Sequence, residues 1–230
     1  MEHTRSVAWQ IVSVFETGRP EGRYDAFVIL ADGAGISAGK KQGTDRSDVF
    51  DAIINGYIAR GGQYGPQLGR YVGRLARNES TLVDPNHWPR WVYELRDVFV
   101  AAAQDPVMRQ VQDDVFDRMF WQPAVAKVEE LGLRTPLAYA VIFDTMIHSG
   151  PRGVGWMRRR FAAKPPAGGG DERLWLRDYV QARRHWLATH PKTALHATVY
   201  RMDLFAKLIR EGNWALRTPF TVDRPRATIS

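Results

Sequence analysis

Two nearby stretches decide the reading of the fold: Ile11-Val12-Ser13-Val14-Phe15-Glu16-Thr17-Gly18 and Ala31-Asp32-Gly33-Ala34-Gly35-Ile36-Ser37. Val7, Ile11, Val14 and Phe15 recur at helical spacing, and Gly18 with Pro20 ends that segment. From Asp25 to about Gln42 the pattern changes. Phe27, Ile29 and Ala31 alternate, an Asp-Gly-Ala-Gly turn follows, and residues 36 to 40 form a second short run. That alternation around a glycine-rich turn predicts a small hairpin. The helix thus ends on one acid, Glu16, and the hairpin turn opens on another, Asp32.

Paired carboxylates suit glycoside hydrolysis. One protonated carboxyl serves the leaving oxygen, and one ionised carboxylate serves water or the sugar. The C-terminal end of a helix disfavours negative charge, and a protonated carboxyl is what a general acid needs. Taken singly, each residue has a plainer reading. Glu16 fits a solvated helix end, and Asp32 fits an Asp-Gly turn.

Outward from this unit, the chain is mostly helical. Ser47 is the expected N-cap before Val49, Phe50, Ile53, Ile54, Tyr57 and Ile58, and Gly61-Gly62 stops that helix. Leu68, Tyr71, Val72 and Leu75 mark another, and residues 78 to 90 read as a connection. From Trp91 to His148 a long helical region is broken, with Pro106, Pro123 and Pro136 each suited to a first helical turn. Residues 163 to 170 form the clearest loop. Helices follow at about 171–189 and 195–211, and the tail after Gly212 reads as irregular. The expectation is a mainly α single catalytic domain of two helical lobes joined by a long central helix. The lobes are residues 1–90 plus the C-terminal helices, and residues 91–170. A small hairpin lies in the first lobe, with a cleft between the two.

Composition narrows the function. The chain has 230 residues, 44% of them apolar, enough for a proper core. It has no cysteine, which excludes thiol catalysis, thiolate metal sites and disulfides. No apolar run is long enough to span a membrane, and the opening Met1-Glu2-His3-Thr4-Arg5 lacks the blocks of a signal peptide. A net charge of +7 favours anionic partners such as a wall polymer or nucleic acid. The run Arg158-Arg159-Arg160 fits such a partner, and fits a solvated helix face equally well.

The segment from Ile11 to about Tyr57 resembles the chitosanases of glycoside hydrolase family 46. Those enzymes carry a glutamate after an apolar helix, then an aspartate in Gly-Asp-Gly-Arg-Gly-(Tyr/Ile)-Thr. The matching residues are Glu16 and Ala31-Asp32-Gly33-Ala34-Gly35-Ile36-Ser37. The resemblance continues in order through Gln112-Asp113, Phe120-Trp121-Gln122-Pro123-Ala124-Val125, Phe143-Asp144 to His148-Ser149-Gly150-Pro151, Gly169-Gly170-Asp171-Glu172 and Ala182-Arg183 to Arg201. It implies a lysozyme-like fold and an endo-acting, inverting hydrolase of β-1,4-linked amino sugars. Glu16 is then the general acid and Asp32 the general base, with Ser37 in place of a threonine that positions the water. Asp144, Arg183 and Arg201 become a buried charge network behind the glutamate, and Asp48 the acid for sugar binding. Tyr24 and Trp121 are candidates for stacking on sugars, with core packing the plainer use of either aromatic. His148, four residues after Asp144 on the same helical face, reads as a hydrogen-bonded histidine at a helix end, and substrate binding is its other candidate role.

No cofactor or metal is implied. The partner is a polysaccharide, with no nucleic acid expected and a monomer favoured. The resemblance implies secretion, although the chain shows no signal. Two positions depart from the family: Ala34 replaces its arginine, and Ala26 stands where an aromatic is common. These departures, with the basic charge, open a second reading as a peptidoglycan hydrolase of a phage or an interbacterial toxin. A third is a non-enzymatic module that binds an anionic polymer.

Overall fold

A computed structural model describes residues 1–29, 33–40 and 42–230. Helix α1 (Glu2–Thr17) leads into strands β1 (Phe27–Ile29), β2 (Ile36–Ala38) and β3 (Gly43–Thr44). Helices α2 (Val49–Ala59), α3 (Gly65–Gly69), α4 (Val72–Leu75), α5 (Arg90–Ala102) and α6 (Pro106–Phe116) follow. A π-helical turn over Asp117–Trp121 leads into α7 (Gln122–Glu130), α8 (Pro136–Ser149) and α9 (Gly153–Arg158). The chain closes with α10 (Glu172–Thr189), α11 (Tyr200–Arg210), β4 (Phe220–Asp223) and β5 (Arg226–Ile229). The architecture is mainly α with small antiparallel sheets.

The chain forms two compact units. One holds residues 1–21 and 120–230, the other residues 22–119. The division therefore falls near Gly22 and Phe120, not near 90 and 170 as the turn-rich stretches suggested. The reason is packing: α6 lies on α2 and α5 lies on α3, which keeps both helices in the second unit. Helices α6 and α7 follow each other directly through the π turn.

In the first unit, α1 packs on α8 through a continuous apolar face. Val7, Ala8, Ile11, Val12 and Val14 are buried on α1. Trp9 stacks on Phe143 of α8 at 6.3 Å, and Trp121 meets Phe143 edge-on at 5.2 Å. Trp121 is thus a core residue. Burying one aliphatic side chain of the α1 face, such as Ile11 at 0% exposure, contributes roughly 1.5–3 kcal/mol. Gly18, with φ 77, ends α1, and its amide donates to the Val14 carbonyl at 2.9 Å. The tail after Gly212 is not irregular: β4 and β5 pair antiparallel, Phe220 opposite Ile229, and bury Val222 and Ile229. Strand β5 packs on α1 and β4 on α11, and Gln10 Nε2 donates to the Ser230 carbonyl at 3.0 Å.

In the second unit, the expected hairpin gains a third strand, so the sheet order is β1-β2-β3. Phe27, Phe50 and Phe99 form an aromatic cluster against it, with centroids 5.4–6.1 Å apart. The N-cap of α2 is Asp48, at φ 59, rather than Ser47. The Ser47 hydroxyl is held by Thr44 instead, accepting from its Oγ1 at 2.7 Å and donating to its carbonyl at 3.1 Å. Gly35 sits at φ 74, and a Cβ there would lie 2.3 Å from the Ser80 Oγ. Only glycine meets both demands.

Candidate active site

Glu16 lies in the last turn of α1, with its side chain 18% exposed. Its Oε1 accepts from Arg201 Nη2 at 2.9 Å. Arg201 stands in the first turn of α11, and its Nε donates to Asp144 Oδ1 at 2.9 Å. The second Asp144 oxygen accepts from Arg183 Nη1, on α10. Arg183 also donates from Nη1 to Thr145 Oγ1 at 3.0 Å, and its Nη2 lies 3.2 Å from His148 Nδ1. Tyr179 donates to the same Thr145 hydroxyl at 3.0 Å. Four helices, α1, α8, α10 and α11, thus bring one chain of alternating charge together: Glu16, Arg201, Asp144, Arg183.

Helical spacing explains why these charges are buried. On α10 the covered stripe is Trp175, Leu176, Tyr179, Val180, Arg183 and Leu187, and on α11 it is Arg201, Met202, Leu204, Phe205 and Leu208. Each arginine occupies a core position of an otherwise apolar face. Asp144, at 0% exposure, sits in α8, which is buried nearly all round. Burial alone would push the Asp144 carboxyl up, but Arg201 and Arg183 outweigh it and hold the group below the usual carboxylate range. Burial also opposes the charge on Arg201, and Asp144 and Glu16 more than offset it.

His148 is held neutral. Burial, then the positive charges of Arg201 and Arg183, lower it to about 2. A neutral imidazole whose Nδ1 accepts from Arg183 is a member of the network, and that contact is the one the structure assigns to it.

Arg201 lies over the Phe15 ring at 4.8 Å, and the Tyr200 hydroxyl donates to the Phe15 carbonyl at 3.1 Å. Both contacts fix the turn that carries Glu16. Two network members gave no sequence signal: Thr145 and Tyr179, ordinary residues on buried faces.

The remaining candidates lie in the second unit. Asp32 falls outside the described residues. Ser37 is on β2, buried, and its Oγ donates to the Gln42 carbonyl at 3.2 Å. Asp48 is exposed at the start of α2. Asp45, fully buried, accepts from the Ser80 hydroxyl, which itself accepts from the Ile36 amide at 2.9 Å. Asp51 is raised to about 6, by burial first and then by Asp45 and Asp48. Tyr24 is pinned. Its hydroxyl donates to Asp113 Oδ2 at 2.8 Å and accepts from Lys40 Nζ at 2.7 Å, while Lys40 and Arg109 lie over its ring at 4.6 and 5.7 Å. Gln112 completes this joint. It accepts from the Lys40 amide at 2.8 Å and donates to the Tyr24 carbonyl at 3.0 Å. Among the described residues, no group of three or more His, Cys, Asp or Glu side chains is placed to hold a metal ion.

Charge is divided unequally. Twenty of the 32 Lys and Arg residues but only twelve of the 25 Asp and Glu residues lie in the first unit, which carries a formal +8 against −1 for the second.

The model of glycosyl hydrolase family 46 matches residues 10–220. A chitosanase of Bacillus subtilis (strain 168) is 30% identical over 234 residues, covering 94% of this chain and 80% of that protein. The structure of a family 46 chitosanase of Gynuella sunshinyii in complex with chitotetraose aligns with a TM-score of 0.83 and 28% identity, over 100% of this chain and 98% of that one. A mutant chitosanase of Bacillus subtilis MY002 complexed with 6 GlcN aligns with a TM-score of 0.83 and 25% identity, over 99% and 98%. With the family model matched over residues 10–220, a chitosanase 30% identical over most of its length, and a mainly α, lysozyme-like fold that aligns with solved family members from end to end, the chain belongs to glycosyl hydrolase family 46.

Proposed function

We propose that the protein is an endo-acting chitosanase that inverts the anomeric carbon, with Glu16 as general acid and Asp32 as general base. The observation that carries this reading is the hold on Glu16. A partly exposed carboxyl on Arg201, itself locked to a fully buried Asp144–Arg183 pair, is fixed in direction before substrate arrives. Such orientation, set in advance of the reaction, is what positioned acid catalysis requires. In this reading Glu16 gives its proton to the glycosidic oxygen as the bond to the anomeric carbon breaks. Asp32 takes a proton from the water that attacks the opposite face, and Ser37 helps to place that water.

Chitosan as the polymer is supported by the chitosanase relatives and by charge. The second unit, which carries Asp32, Asp45, Asp48 and Asp51, is slightly acidic despite the basic chain, and an ammonium-bearing sugar chain favours acidic surroundings. The test is Glu16→Gln, which keeps an acceptor for Arg201 while removing the proton. Hydrolysis of chitosan should fall by roughly 10²–10⁴-fold with the thermal transition unchanged. NMR of the first product formed should show the inverted anomer. Release of sugar from purified murein but not from chitosan would overturn the substrate, and full activity of Glu16→Gln would overturn the mechanism.

A further inference from the structure

Residues 145–170 contain no acid and five cations: Arg152, Arg158, Arg159, Arg160 and Lys164. Helix α9 sorts them. Val154 and Met157 turn inward, at 2% and 1% exposure. Arg152, Gly155, Trp156, Arg159 and Arg160 follow one another at helical spacing and are all exposed. Trp156 is 42% exposed, a large fraction for an indole in a folded protein. Arg158 is engaged: its Nη1 donates to the Phe161 carbonyl at 3.2 Å, and its guanidinium lies over the Phe161 ring at 5.3 Å. Arg152, Arg159, Arg160 and Lys164 make no side-chain hydrogen bond or ion pair with the described residues. Beside them an open groove of about 520 Å³ is lined by Arg160, Phe161, Asp178, Gln181, Ala182 and His185. Its one acid, Asp178, faces Arg177 at 3.6 Å.

We propose that this face is an accessory site for an anionic polysaccharide, a sugar chain bearing carboxylates, with Trp156 as the stacking platform and Arg152, Arg159 and Arg160 as the anion clamps. Three physical arguments select that occupant. Unpaired guanidinium groups repel an ammonium-bearing chain, so the patch is no extension of the proposed substrate site, and they take carboxylates in a bidentate fork. The apolar part of the patch is a single indole with no exposed aliphatic neighbour on α9, too little to enter a bilayer. Single-stranded nucleic acid is held by successive bases on successive aromatic rings, and α9 offers one ring. A chain whose sugars stack once, and which is otherwise held by charge, matches what is exposed.

The test uses the intact protein and polygalacturonate as the probe, with dextran, a thymidine oligonucleotide and phosphatidylglycerol vesicles alongside. Binding to polygalacturonate, released by salt because the charges are exposed, is the expected result. Trp156→Ala and the triple variant Arg152→Ser, Arg159→Ser, Arg160→Ser should each weaken it by about tenfold, while hydrolysis of a soluble glucosamine hexamer stays unchanged. Absence of binding, binding undiminished in both variants, or tighter binding to the oligonucleotide or the vesicles would overturn the proposal. Failure to cleave the hexamer would count against the proposed activity and leave the binding result to decide the patch by itself.

Discussion

Asp144→Asn tests the buried charge network most directly. The replacement keeps the side-chain shape and removes one charge from a site with 0% exposure. Arg183, also fully buried, then loses its anionic partner, because its other contacts are the neutral Thr145 and His148. Arg201 keeps Glu16. Stranding one buried guanidinium costs about 3–5 kcal/mol. For a chain of this length each kcal/mol moves the thermal midpoint by roughly 2–4 °C, so calorimetry should show a fall of about 6–20 °C. Asp144→Leu combined with Arg183→Met removes the charge and its partner together. Replacing a buried pair by apolar groups is often neutral or stabilising, so the double variant should recover most of the midpoint. It should not recover hydrolysis, since Arg201 loses its anchor and Glu16 its fixed direction. A loss below about 1 kcal/mol for Asp144→Asn would mean that water reaches the network and that the pair does not hold Arg201 and Glu16 in place.

Further predictions rest on other parts of the two units. His148 is lowered to about 2 from an ordinary 6.5, so below pH 6.5 the unfolded chain binds a proton that the folded one refuses. Stability should then fall with acidification at up to about 1.4 kcal/mol per pH unit, and His148→Gln should flatten that slope in urea titrations between pH 6 and 4. Asp51 is raised to about 6, which costs stability above that pH. Asp51→Asn should therefore raise the urea midpoint at pH 7.5, by an amount that disappears near pH 4. Gly35→Ala meets both a left-handed backbone and the Ser80 hydroxyl, and should destabilise the second unit by about 1–3 kcal/mol. Proteolysis within residues 22–119 would report it.

Much of the molecule was legible along the chain. The apolar spacing of α1, the proline starts of α6, α7 and α8, and the loop before α10 all follow from local rules. Arg183 and Arg201 are reached only through the family resemblance, because spacing by itself reads them as unrelated charges on separate helices. What escaped was non-local or very short. Strand β3 has two residues and no periodicity of its own. Strands β4 and β5 flank Pro219 and Pro225, whose breaker signal hid their alternation. The hold on Tyr24 escaped as well, because its hydroxyl donates to Asp113, 89 positions away. The unit boundaries escaped because turn-rich stretches mark flexible sequence, whereas the units are set by which helices bury each other's faces.

The packing of α1 on elements far downstream has a consequence for how the protein is made. Residues 22–119 are contiguous and hold their own aromatic cluster, so they can condense while the ribosome is still working. Helix α1 has no such option. Its partners are α8 and β5, and Glu16 waits for an arginine 185 residues downstream. Helix α1 is thus made well before its partners and is among the last of these elements to dock, and a chain released short of Arg201 would carry the glutamate without the group that aims it.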